Sequence, residues 1–142
     1  MAHPYALLYR SLATTPFSDL ELRALSTRAA QRNARGEITG LLLHGQMEHV
    51  PGLPGAFVQW IEGPEAAVRT LYTSIQLDPR HHQLEVLSEG PALRSAARAG
   101  RLFPDWAMEF ESISDLPATL SGFLRYVRRK RAGAEGLWRR AA

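Results

Sequence analysis

Phe57-Val58-Gln59-Trp60-Ile61-Glu62-Gly63 decides the reading of this chain. Seven residues rich in aromatic and branched side chains, closed by Gly63-Pro64, read as a buried strand, yet Gln59 stands where an aliphatic residue is expected. A buried amide left without partners costs about 1–3 kcal/mol, so other side chains or a polar ligand must satisfy it. Pro64 suits the start of a helix, which places the amide near a strand-to-helix junction, where ligands often bind.

Working outward, Tyr5 to Ser11 reads as a strand, Thr14-Thr15-Pro16 as a turn, and Ser18 as the cap of a helix from Asp19 to about Asn33. Gly36 is its plausible stop. A buried strand, Ile38 to His44, and the long loop Gly45 to Gly55 precede the Gln59 strand, and these two strands should pair antiparallel. Ala67, Val68, Leu71, Tyr72 and Ile75 mark a second amphipathic helix over Pro64 to Leu77, closed by Asp78-Pro79. Strands follow at Gln83 to Ser88 and Trp106 to Phe110, joined by a connection over Glu89 to Gly100.

The order βαββαββ resembles the ferredoxin-like plan with an added strand. The expected fold is therefore α+β, a ferredoxin-like two-layer sandwich with a five-stranded mixed sheet and two helices on one face. A last helix, capped by Ser114 and starting at Asp115 with Pro117 in its first turns, carries the apolar stripe Leu116, Leu120, Phe123, Leu124 and Val127. That stripe needs a partner. It forms a C-terminal extension folded over the sheet's other face, or it packs against a second copy in a homodimer. The chain thus divides into a core at 1–111 and a basic helical extension at 112–142.

Composition narrows the function. At 142 residues, 45% hydrophobic and 22% charged, the chain suits one globular unit. Zero cysteines rule out a disulfide framework, a thiol nucleophile and a thiolate metal site, and fit a reducing cytoplasm. No apolar run approaches the roughly 18–20 residues of a membrane span, so no membrane association is expected. The net charge of +3 is local: residues 112–142 carry +5 and the remainder −2. A run such as Arg125 to Arg131 reads as a solvated helix face, and nucleic-acid binding is not expected.

Catalytic constellations are missing. His81 and His82 are adjacent and point apart on an extended chain, His44 and His49 flank a loop without a carboxylate pair, and neither a phosphate loop nor a Gly-x-Ser-x-Gly elbow is present. No catalytic residue and no metal site is assigned, and the chain is not expected to be an enzyme. What remains is Tyr9, Asn33, Gln59, Trp106 and Met108, polar or redox-capable residues at strand and helix ends. Two amides and a phenol beside a groove could bind a flat heterocycle with donors and acceptors along one edge.

Here the chain resembles the BLUF family, blue-light sensors that use FAD. The matching pieces are Tyr9-Arg10-Ser11, Asn33-Ala34-Arg35-Gly36-Glu37-Ile38-Thr39-Gly40-Leu41-Leu42, Phe57 to Gly63, Asp78-Pro79-Arg80-His81, and Phe103-Pro104-Asp105-Trp106-Ala107-Met108. They occur in the family's order across about residues 5 to 110. The resemblance implies a flavin ring between the helices at 19–34 and 64–77. Asn33 would hold its pyrimidine edge, Gln59 would bridge flavin and Tyr9, and Arg80 and His81 would lie near the ribityl phosphate end.

It also implies a photocycle in which Tyr9 gives an electron and a proton, the Gln59 network rearranges, and the strand bearing Trp106 and Met108 passes the signal on. Output would then need a protein effector, self-association or the basic tail. Whether FAD or FMN fills the site is left open, and a flavin-free interaction module is the alternative. Two departures from the family pattern stand out: the loop Gly45 to Gly55 is longer, and residues 93–101 look inserted.

Overall fold

The computed structural model describes residues 4–15, 18–35, 37–45, 55–91, 102–103, 109–114 and 116–141; at 19, 30, 33–35, 109–110 and 133–141 it describes the backbone alone. The elements are β1 (Tyr5–Ala13), α1 (Asp19–Arg35), β2 (Thr39–Gly45), β3 (Ala56–Gly63), α2 (Glu65–Gln76), β4 (His81–Pro91), β5 (Glu109–Ile113) and α3 (Leu120–Ala141). One five-stranded sheet runs in the order β4-β1-β3-β2-β5. β1 pairs antiparallel with β3 and β4, β2 antiparallel with β3, and β2 parallel with β5, so the sheet is mixed as expected.

Period-2 alternation splits the central strands between two cores. Leu7, Tyr9, Leu42, Phe57 and Ile61 pack with Leu22 and Ala29 of α1 and Val68 and Leu71 of α2. Leu8, Leu41, Leu43, Val58 and Trp60 pack instead with Leu102, Phe103, Leu116, Phe123 and Val127. The stripe of the last helix therefore covers the second face of its own sheet. Trp60 and Phe123 stack with centroids 5.6 Å apart and planes 5° apart, which fixes α3 against β3.

Local signals explain the helix starts. Ser18 and Glu21 form a reciprocal capping box: the Glu21 amide donates to Ser18 Oγ at 3.1 Å and the Ser18 amide to Glu21 Oε1 at 3.2 Å. Past α1, Glu37 has φ 58, the left-handed conformation of a helix exit; Gly36, the expected stop, lies outside the described residues. Pro64, with φ −58, is the N-cap residue of α2. Among the described residues, no helix is long and apolar enough to cross a membrane.

Three boundaries differ from the sequence reading. β4 begins at His81 and runs through Gly90 and Pro91, which the sequence reading places in a connection. It is an edge strand, where a missing N–H is tolerated. β5 extends to Ile113, because its parallel ladder with β2 continues to Gly45. Helix α3 starts at Leu120 rather than Asp115. Leu116 is buried but not helical, Pro117 precedes the helix, and Thr119 rather than Ser114 caps it, its Oγ1 accepting from the Gly122 amide at 3.1 Å.

Because Phe123 has no exposed surface and joins α3 to both Trp60 and Phe103, Phe123→Ala should lower stability by about 3–5 kcal/mol. Urea unfolding followed by circular dichroism measures this. A loss under about 1 kcal/mol would mean that α3 does not complete the core.

Candidate functional site

The fold sets Tyr9 on β1 directly opposite Gln59 on β3, at the centre of the sheet and on the face that α1 and α2 cover. Both side chains are buried, at 2% and 6% exposure. The Tyr9 hydroxyl donates to Gln59 Oε1 at 2.5 Å. The partner demanded by the buried amide's oxygen is thus a phenol.

Around this pair lies an open cleft, lined on its apolar side by Leu42, Phe57, Leu71 and Ile75 and on its polar side by Tyr9, Gln59, Arg32, Asp78, Arg80 and His81. Beyond Arg80 the surface continues as a hollow bordered by Leu20, Glu21, Leu25 and Arg28, so that two arginines outnumber one carboxylate there. Apolar walls, an amide-phenol floor and a cationic mouth suit a flat heterocycle carrying an anionic substituent. Among the described residues, no group of three or more His, Asp or Glu could hold a metal ion.

The turn at 78–81 is fixed from several sides. Arg80 Nε donates to both Asp78 oxygens, at 2.8 and 2.9 Å, and the Arg80 amide also bonds Asp78 Oδ1 at 3.0 Å. The Arg80 guanidinium holds the Asp78 carboxyl below the usual carboxylate range. The Arg80 carbonyl accepts from the Thr14 amide, which ties the turn to the end of β1.

His81 Nε2 lies 2.7 Å from the Ile75 carbonyl and must donate to it, so in the neutral ring Nδ1 accepts from Ser11 Oγ, also at 2.7 Å. With both nitrogens engaged, the ring presents its faces and edge, and it lies edge-on to Tyr9 and Phe57. Ser11 is the residue that positions it. The signal was available in sequence, because Ser11 sits two residues from Tyr9 and faces the same way.

Of the expected site residues, Tyr9, Gln59, Arg80 and His81 line one cleft. Asn33 lies near the end of α1, but its side chain is outside the described set. Trp106 and Met108 lie outside the described residues altogether. Sequence reasoning passed over Phe57 and Leu42 as lining residues, although alternation from Gln59 and the β2–β3 register place them there. It also passed over Tyr72, whose ring lies 5.6 Å from that of Tyr9.

The BLUF family model, described as sensors of blue-light using FAD, matches residues 5–109. This chain belongs to the BLUF family. The family binds FAD, and the cleft's lining fits such a group. The photoactivated adenylate cyclase subunit beta of Euglena gracilis is 44% identical over 85 residues, 60% of this chain and 9% of that protein. Its counterpart in Euglena longa is 41% identical over the same span, again 60% and 9%. This BLUF chain thus spans about a tenth of the curated relatives it matches.

Among solved structures, the dark state of the BLUF protein BlrB aligns with TM-score 0.63 and 31% identity, over 89% of this chain and 85% of that one. Klebsiella pneumoniae BlrP1, solved with FMN and cyclic diGMP, aligns with TM-score 0.62 and 29% identity, over 89% and 30%. The five-stranded mixed sheet with helices is the BLUF fold, and its buried, hydrogen-bonded tyrosine and glutamine are here Tyr9 and Gln59.

Burial raises the Tyr9 pKa well above the ordinary phenol value of 10.0, with the neighbouring Tyr72 and Asp78 adding to the rise. Native Tyr9 therefore keeps its proton where the unfolded chain loses it, so its contribution to stability is complete below pH 10 and falls as pH rises beyond that. Tyr9→Phe should leave the alkaline phenolate titration of the folded protein unchanged and weaken the loss of stability above pH 10. Ultraviolet titration checks this. A native phenolate near pH 10 that disappears in Tyr9→Phe would contradict the burial of the hydroxyl.

Proposed function

We propose that this chain is a blue-light photoreceptor module that binds FAD non-covalently and stores its signal as a changed hydrogen-bond pattern between Tyr9 and Gln59. The observation that carries the reading is the buried hydroxyl-to-amide bond on the floor of the cleft. Bound flavin supplies blue-light absorption and an oxidising excited state. Tyr9 is the side chain able to give up an electron together with its hydroxyl proton. Gln59 is an amide whose acceptor and donor ends can exchange partners. Light would thus convert one satisfied arrangement of this pair into another.

In this reading Asn33 holds the flavin's polar edge, while Arg80 and His81 border its ribityl phosphate end and His81 supplies ring surface. Arg80 would meet the anion while keeping Asp78 as its partner, and Arg28 and Arg32 add positive charge at the same mouth. Trp106 and Met108 belong to the output side.

The core at 1–111 is the sensor and 112–142 the extension through which a protein effector or a second copy is engaged. No reaction is assigned to the chain itself, and a reducing cytoplasm is its expected setting. FMN is the other flavin to test, since BlrP1 was solved with it.

Tyr9→Phe and Gln59→Leu should each retain FAD and lose the light-induced red shift, whereas Asn33→Ala should weaken FAD binding about tenfold or less, the worth of one hydrogen bond. Visible spectra of reconstituted protein before and after blue light measure the first effect, and flavin titration the second. A normal red shift in Tyr9→Phe would remove the assigned chemistry. Failure of the wild-type chain to take up FAD or FMN would favour a flavin-free interaction module.

A further inference from the structure

Glu62 has no exposed surface, although it carries a carboxylate on the strand that also carries Gln59. Three residues apart, the two side chains leave β3 on opposite faces: Gln59 toward the cleft, Glu62 toward the layer beneath α3. Burying a carboxylate is costly unless its oxygens are well supplied with donors. Here they are: Oε2 accepts from Trp60 Nε1 at 3.0 Å and from the Leu102 amide at 2.8 Å, and Oε1 accepts from the Phe103 amide at 2.5 Å.

The same short segment is held from its other side by α3. Arg131 donates to the Leu102 carbonyl, and its guanidinium lies 5.6 Å from the centroid of the Phe103 ring. Phe103 also meets Phe123 edge-on at 6.2 Å. Leu102 is thereby clamped between a carboxylate of β3 and a guanidinium of α3, its N–H facing one and its carbonyl the other.

We propose that Glu62 is a positioning residue for output, fastening the 102–103 segment and, through Arg131, helix α3 to the strand whose opposite face bears Gln59. The inference rests on the photoreceptor reading given above. A shift of β3 that accompanies rearrangement at Gln59 is passed through this clamp to α3, which places the light-dependent surface on α3. A carboxylate is required because three N–H donors converge on two oxygens. A glutamine offers one oxygen and would turn its NH₂ group against a donor.

The test is hydrogen exchange of the FAD-loaded full chain, in darkness and under blue light, read on peptides covering residues 120–132. In the wild type, exchange there should change with light. Glu62→Gln should keep the red shift and lose most of the light-minus-dark difference in α3. Arg131→Met, a milder change at the other end of the clamp, should do the same; if Glu62→Gln does not hold flavin, Arg131→Met alone decides. Loss of static packing would raise exchange equally in darkness and light, whereas loss of coupling removes the difference. A red shift with no light-dependent exchange in α3, or wild-type differences in both variants, overturns the inference while leaving the photoreceptor reading intact. A wild-type protein that holds flavin without any red shift fails that reading and this inference with it.

Discussion

Strand β3 is buried along its whole length, so every polar side chain on it must find its partners inside the protein. Two such side chains are present, and they are answered in opposite ways. Gln59, neutral and able to donate and accept, meets one buried phenol on the face covered by α1 and α2. Glu62, charged and able only to accept, meets three N–H groups on the face covered by α3. The first arrangement can be rewritten at little cost, because an amide reversed end for end still offers hydrogen bonds. The second has no alternative, because removing either oxygen strands a donor. An adaptable contact and a rigid one thus share a single strand, and the cleft and the tail helix lie on either side of it.

The surrounding elements hold Tyr9 and Gln59 in register. Direct pairing of β1 with β3 puts the phenol opposite the amide, and β2 on the other flank adds Leu42 at the same level. The turn at 78–81 closes the cleft's polar end through Asp78–Arg80 and through His81, which is locked by Ser11 and the Ile75 carbonyl. These bonds leave the cleft with a defined shape and its positive charge at the mouth. Tyr9 and Gln59 lie on the buried floor between apolar walls, where desolvation keeps the Tyr9 phenol protonated.

Much of this was legible in the sequence because the central strands are long apolar runs and the two helices of the cleft show clear spacing and end signals. Ser18 with Glu21, Pro64, and Asp78-Pro79 all mark ends that the fold respects. Gln59 was conspicuous because it interrupts such a run. The edges were harder. β4 is an exposed strand, so it lacks the alternation that would mark its ends, and its Gly90-Pro91 read as a turn. α3 carries its apolar stripe back to Leu116, which packs without being helical. Glu62 stands in the sequence only as part of a motif, since its two backbone donors lie 40 and 41 residues further along the chain. Family resemblance alone carries the roles proposed for Asn33, Trp106 and Met108, which lie at positions that local pattern does not mark.

Relatives in Euglena carry this BLUF unit as a small part of much longer cyclase subunits, whereas the BlrB chain is close to this one in extent. The central claim is that Tyr9 and Gln59 form a light-driven switch beside bound flavin. The most direct measurement is the visible absorption spectrum of the FAD-loaded protein before blue light, immediately after it, and again after darkness. The account predicts a flavin band that moves slightly to the red and then returns. A bound flavin whose band does not move would contradict it.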